Sequence, residues 1–195
     1  YLKMLNLVLL ICYGIVKDFA HLEKHIADFF YSPEALFFST GYQLNITLPQ
    51  AIANNRTIFL LDKNSHASLK NGAKLAKSEV YYFRHNDPQH LYERISRLQK
   101  KKVGYTYVVI LEGIDSMEGD ISPLEDMVSV CEEKSASIIL DEAHSSGVLG
   151  PQGRGLSVDK NLEKKISARI ITFGKAWGTS GAALLSTHDI KEAVI

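Results

Sequence analysis

Ser-Ile-Ile-Leu-Asp-Glu-Ala-His, residues 137–144, is the stretch that decides the fold. A short apolar run that stops on a carboxylate reads as a strand buried on both faces, with Asp141 at its carboxyl end. The same pattern recurs to either side. Thr57 to Leu61 runs into Asp62, Tyr105 to Leu111 into Glu112, and Arg169 to Ile171 into Thr172. Val80 to Arg84 and Gly181 to Leu185 read as further strands, and Ala35 to Phe38 as a short apolar segment. Helix-like segments lie between them: Ser68 to Ala76, Pro88 to Lys100 with its proline in the first turn, and Pro123 to Glu133. Ser-Thr-Gly-Tyr (39–42) opens another helix, and Asp189 starts a last one. Asp18 to Phe30 is amphipathic, with Phe19, Leu22, Ile26 and Phe29 at helical spacing. Apolar strands alternating with helices predict an α/β fold, a three-layer α/β/α arrangement around a mostly parallel sheet. Ligands in such sheets collect at the carboxyl ends of the strands. Asp62, Glu112, Asp141 and Thr172 are therefore expected to share one crevice.

The chain has 195 residues, enough for one domain, and 46% of them are hydrophobic, enough for a core. Lys plus Arg and Asp plus Glu are 22 each, so no charge excess favours nucleic acid or an anionic membrane. Cys12 and Cys131 have no C-x-x-C partner and fit free thiols in a reducing, cytoplasmic setting. The apolar run Leu5 to Val16 is too short to span a bilayer. It reads as a buried helix or as altered sequence near the terminus, ahead of a signal-peptide core. The chain begins at Tyr1 and ends at Ile195 inside a helical pattern, so a piece of a longer protein is expected.

Chemistry concentrates in two places. Lys175 sits in Thr-Phe-Gly-Lys-Ala-Trp-Gly (172–178), a Gly-rich turn after a strand. A lysine there can form a Schiff base, and an aspartate at a neighbouring strand end can hold a cationic ring nitrogen. Together they describe a site for pyridoxal phosphate. Alone, Asp141 also reads as a helix cap or ion-pair partner, and Lys175 as a surface lysine. Gly41 and Tyr42 begin a helix whose N–H groups suit a phosphate. His66, after the strand ending at Asp62, can stack on a ring; alternatively it marks a helix start capped by Asn64 or Ser65. His144 lies three residues beyond Asp141 and can reach a phenolic oxygen of such a cofactor. Ser116, in the loop after Glu112, reads otherwise as a turn serine. Asp-Glu-Ala-His also spells a helicase signature, but the phosphate loop G-x-x-x-x-G-K-[ST] is missing: Gly174-Lys175 is followed by Ala176. His21 and His25 with Glu23 have the wrong offset for H-E-x-x-H, and no metal site is expected. His85, His90 and His188 show no arrangement.

Five ordered segments carry a resemblance. They are Ser-Thr-Gly-Tyr (39–42), Asn-Ser-His-Ala-Ser (64–68), Glu-Gly-Ile-Asp-Ser-Met-Glu-Gly-Asp (112–120) followed by Pro123-Leu124, Asp-Glu-Ala-His-Ser-Ser-Gly-Val-Leu-Gly (141–150) with Gly-Arg-Gly (153–155), and 172–178. They resemble the α-oxoamine synthases, pyridoxal-phosphate enzymes whose large domain has the fold type I architecture. The resemblance runs from about Asp18 to Ile195; residues 1–17 diverge, and the small C-terminal domain of the family is absent. It implies Lys175 as the Schiff-base lysine, Asp141 on the ring nitrogen and His66 over the ring. His144 and Ser116 would lie near the phenolic oxygen or substrate, and Thr172, Gly41 and Tyr42 near the phosphate. It also implies an amino acid and an acyl thioester as substrates, decarboxylation, and a homodimer for the complete form. Ser-Gly-Ala-Ala-Leu-Leu (180–185) is similar to the 8-amino-7-oxononanoate synthase branch, which uses L-alanine and a pimeloyl thioester of coenzyme A or carrier protein in biotin-ring assembly. The branches of serine palmitoyltransferase, aminoketobutyrate ligase and aminolevulinate synthase usually show Gly-Gly there. A non-catalytic remnant is the competing expectation, set against the retained Lys175.

Overall fold

The computed structural model describes residues 18–195. Residues 1–17, including Cys12 and the apolar run expected to be a buried helix, lie outside them. Helix α1 is described over 18–29. There follow β1 (Glu34–Phe38), α2 (Gly41–Ile52), β2 (Thr57–Asp62), α3 (Ala67–Leu75), β3 (Glu79–Phe83), α4 (Pro88–Lys101), β4 (Thr106–Glu112) and α5 (Leu124–Glu133). After β5 (Ser137–Asp141) come the single turn α6 (Leu156–Asp159), β6 (Ala168–Thr172), β7 (Ala182–Ser186) and α7 (His188–Val194).

The strands form one sheet in the order β1-β7-β6-β5-β4-β2-β3. β3, β2, β4, β5 and β6 are mutually parallel; β7 runs antiparallel to β6 and to β1. The expected mostly parallel sheet is thus borne out, with one reversed strand inside it. The reversal needs no crossover helix, because β6 and β7 are joined by the short turn that holds Lys175. β1, read only as an apolar segment, forms the sheet edge beyond β7.

Period-two alternation sorts the core. Ile58 and Leu60 of β2, Val109 and Leu111 of β4, and Ile138 and Leu140 of β5 pack with Leu91 and Ile95 of α4 and Met127 and Val128 of α5. The alternate residues Phe59, Leu61, Val108, Ile110, Ile139 and Ile170 pack with Leu44 and Leu48 of α2 and Leu69 of α3. Ile26, Ala27 and Phe30 cover Ile171, Ala183 and Leu185 on the face opposite α2. Both faces of the sheet are therefore covered, as its apolar strands require.

Local signals set the helix starts. Thr40 caps α2, its hydroxyl accepting from Gln43 N at 3.1 Å, and Asp87 caps α4, accepting from His90 N at 2.8 Å. The helix after β2 is capped by His66 itself, whose Nδ1 accepts from Ser68 N at 3.2 Å, and not by Asn64 or Ser65. Asn64 N instead donates to Asp62 Oδ1 in a turn. Cys131 is buried in α5, and burial pushes its thiol up to about 12, so it behaves as an inert core residue. No helix among the described residues is long and apolar enough to cross a membrane.

Candidate active site

Alternation along the strands decides which polar residues meet. Glu112 shares the parity of Ile110, Asp141 that of Ile139, and Thr172 that of Ile170, so all three face the α2 side of the sheet. There, at the carboxyl end of the parallel strands, lies a cleft of about 470 Å³. The loop after β1 supplies Ser39 and Thr40, and α2 supplies Gly41, Tyr42 and Asn45. His66 and Ser68 enter from the β2–α3 connection, and Ala143 and His144 follow Asp141. Gly174, Lys175, Thr179, Ser180 and Gly181 come from the turn between β6 and β7. The reversed β7 begins at this same edge, which is why its entry residue Gly181 lines the cleft.

Asp62 has the other parity, that of Ile58 and Leu60, and the expectation that it shares this crevice is incorrect. It faces the α4 side, where its carboxylate accepts from Asn64 N (2.8 Å) and Asn86 N (2.9 Å) and lies 2.9 Å from His85 Nδ1.

Asp141 is buried, with 5% of its surface exposed. Its Oδ1 accepts from Ala143 N at 2.9 Å and its Oδ2 from Asn45 Nδ2 at 3.2 Å. Burial raises its pKa above the ordinary carboxylate range, against the opposing pull of the Ala143 N–H, Lys175, Asn45 and His66. Asn45 also donates to Ser68 Oγ at 2.9 Å, and His66 Nδ1 stands 2.6 Å from the same hydroxyl. One chain of contacts thus runs from Asp141 through Asn45 and Ser68 to the His66 ring. The His66 backbone N–H donates to Glu112 Oε2 at 3.1 Å. Burial, and then the neighbouring Asp141 charge, push the Glu112 carboxyl up to about 8.

Lys175 Nζ lies 2.6 Å from His144 Nε2. The ammonium has only donors, so Nε2 is the acceptor and His144 is neutral in this arrangement. Burial lowers the His144 pKa first, and the Lys175 charge lowers it further. Burial also lowers the Lys175 pKa, with Asp141 and Glu112 opposing. The lysine is exposed on a turn closed by Phe173 N→Gly181 O, Thr179 N→Phe173 O (both 2.9 Å) and Gly178 N→Lys175 O (3.0 Å). Trp177 braces that turn by donating to Ser146 Oγ at 3.3 Å and packing edge-on to Phe29 and Phe30.

At the other end of the cleft Gly41 and Tyr42 open α2. A Cβ on Gly41 would stand 2.6 Å from Thr172 Cγ2, so glycine permits the close approach of helix and strand. Thr172 Oγ1 is buried without a hydrogen-bond partner among the described residues, as is Asn45 Oδ1. Gly181 is held at φ +104, with Phe37 where a Cβ would go, 2.5 Å away.

The structure gathers Gly41, Tyr42, His66, Asp141, His144, Thr172 and Lys175 in the cleft. Ser116 does not line it; it sits in a turn where Asp115 Oδ1 accepts from Met117 N and Glu118 N. Sequence reading missed Asn45, one helical turn after Gly41 and so on the same face of α2, and Ser68, two residues after His66. Glu112 was placed at a strand end but given no role. The helicase-like pair Asp141-Glu142 divides across the sheet. Glu142 is fully buried with Ser145, Ser157 and Arg169, and no group among the described residues is arranged to hold a metal.

Comparison with known proteins identifies the family. Residues 13–195 match the aminotransferase class I and II family. Serine palmitoyltransferase of Sphingomonas paucimobilis is 39% identical over 93% of this chain and 42% of its own length. 8-Amino-7-oxononanoate synthase of Klebsiella pneumoniae is 35% identical over 89% of this chain and 44% of its own. A solved serine palmitoyltransferase from S. paucimobilis, with a bound PLP–myriocin aldimine, superposes with a TM-score of 0.84 at 38% identity, covering 91% of this chain and 44% of that one. The chain therefore spans less than half the length of these relatives. Both relatives are α-oxoamine synthases, and the chain belongs to the aminotransferase class I and II family.

Proposed function

We propose that the cleft is a pyridoxal-phosphate site, and that the protein carrying this chain is an α-oxoamine synthase joining an amino acid to an acyl thioester with loss of carbon dioxide. The observation that carries the reading is the convergence of Lys175, His144, Asp141 and His66 on one cleft. The residues fit the cofactor. The N–H groups at the start of α2, the Gly41 gap and the unpartnered Thr172 hydroxyl suit a phosphate. Asp141 suits a protonated ring nitrogen, and the tethered His66 ring suits a stacked pyridine.

Bound there, pyridoxal phosphate supplies an electron sink for the α-carbon of an amino acid. The chain's own residues do the rest. Asp141, fixed by Ala143 and Asn45, keeps a proton on the ring nitrogen. Lys175, whose pKa burial lowers, gives up its proton more readily than an ordinary lysine and would then serve as nucleophile and as base. His144 Nε2 accepts from Lys175 and can take up its proton. Glu112 and the Asn45–Ser68 pair hold His66 in place.

Two substrate pairs follow from the relatives. L-Alanine with a pimeloyl thioester is the pair expected from Gly181-Ala182-Ala183. Gly181 lines the cleft, whereas Ala182 and Ala183 are fully buried in β7, so the two alanines record packing within the sheet. The serine palmitoyltransferase relatives favour L-serine with a long-chain acyl thioester. We also propose a homodimer for the complete protein, on the resemblance alone. The full-length protein, loaded with cofactor, is to be given each pair with carboxyl-labelled amino acid. Equal release of labelled carbon dioxide and free thiol with one pair supports the reading and names the substrate. Formation of the 2-oxo acid without thiol release contradicts it.

A further inference from the structure

On the far side of Glu112 from the cleft, a second cluster is built around His85. Its Nδ1 lies 2.9 Å from Asp62 Oδ1, and its Nε2 lies 3.1 and 3.0 Å from Asp120 Oδ1 and Oδ2. A neutral imidazole has one N–H; a ring with a carboxylate on each nitrogen needs two, and that is the imidazolium. Asn86 Nδ2 is 3.3 Å from Nε2 but donates to Asp120 Oδ2 at 2.8 Å.

Asp62 ends β2, His85 and Asn86 follow β3, and Asp120 belongs to the turn after β4. That turn is closed by Asp115 N→Asp120 O (3.0 Å), Gly119 N→Asp115 O (3.2 Å) and Ser122 N→Gly113 O (3.1 Å). Its first residues follow Glu112, which lines both the cleft and the narrow cavity bounded by Asp62, His85 and Asp115.

We propose that His85 is a positioning residue: as an imidazolium between Asp62 and Asp120 it straps the 113–122 turn onto the ends of β2 and β3, and so fixes Glu112 at the cleft wall. Its bearing on catalysis rests on the function proposed above; the strap itself does not. The ionised groups against the ring are Asp62 from β2 and Asp120 from the turn; Asp115 from the turn and Glu112 from β4, the latter held largely protonated by its raised pKa, line the cavity beside it. Arg84 and Asp87, on either side in sequence, pair with each other at 2.9 Å. Burial acts to lower the His85 pKa, but the hydrogen bonds and charges of Asp62 and Asp120 outweigh it and raise it above 6.5. The folded value being the higher, the strap is complete below the unfolded value of 6.5 and is lost as pH rises through the folded one.

The test is nuclear magnetic resonance of the chain without cofactor, following the His85 ring nitrogens and the exchange protection of the Asp115, Gly119 and Ser122 amides. Two protonated ring nitrogens, a midpoint above 6.5 that falls in Asp120→Asn, and protection that drops about tenfold above that midpoint are expected. His85→Gln should show the low protection at every pH. An ordinary midpoint, or protection that neither pH nor Asp120→Asn alters, overturns the proposal. Because no cofactor is added, that failure is separable from failure of the pyridoxal-phosphate reading.

Discussion

At Asp141 a buried carboxylate is kept useful by two donors, Ala143 N and Asn45 Nδ2. Asn45→Leu removes the side-chain donor and leaves Asp141 and Ser68 each one partner short. We expect a loss of about 1–3 kcal/mol in unfolding free energy, read by denaturant titration. Glu112 gives a pH signature. Its folded pKa, about 8, exceeds the unfolded 4.5, so the folded state holds the extra proton between them. Its contribution is full below 4.5 and is lost as pH rises towards 8. Glu112→Gln should therefore flatten the stability profile across that window, measured by melting at a series of pH values; an unchanged slope would contradict the assignment. Lys175, Asp141, His66 and His144 were legible from the sequence because each sits in a short motif with a chemical reason for its residue type. Asn45 and Ser68 were not. Neither residue type signals chemistry by itself, and their role arises only when α2 and α3 pack side by side.

At the scale of elements, parity explains both the success and the error. A strand-end carboxylate reaches the cleft only if it has the parity of the residues facing α2. Glu112 and Asp141 have it, and Asp62 does not. The strand ends were visible as apolar runs meeting polar residues, but the face each presents depends on sheet register, which the runs do not reveal. His85 showed no pattern for the same reason: its partners Asp62 and Asp120 come from two other elements. The packing of α2 on α3 is equally specific. A Cβ on Gly72 would lie 2.0 Å from Asn45 O, so Gly72→Ala must push the helices apart. We expect it to cost more than about 2 kcal/mol in thermal unfolding and to weaken cofactor retention through Asn45. At Gly181 both φ and Phe37 oppose a side chain, so Gly181→Ala should strain the turn that carries Lys175.

For the whole molecule, the alternation of apolar strands with helices revealed an α/β layer structure with a mostly parallel sheet. It did not reveal the reversed β7, because a strand buried on both faces reads alike in either direction. That reversal brings Gly181 to the edge where parallel β6 delivers the Lys175 turn, β5 delivers Asp141 and the β2–α3 connection delivers His66. The site is thus a property of the topology, assembled from the carboxyl ends of β4, β5 and β6, the start of α2 and the connections after β1, β2, β5 and β6. The most direct test is to add pyridoxal phosphate to the chain, record its visible spectrum, reduce with borohydride and map the modified peptide by mass spectrometry. A visible absorbance band and a reduced adduct on Lys175, absent from Lys175→Ala, are predicted. A folded chain whose adduct lies on another lysine, or survives Lys175→Ala, would contradict the account.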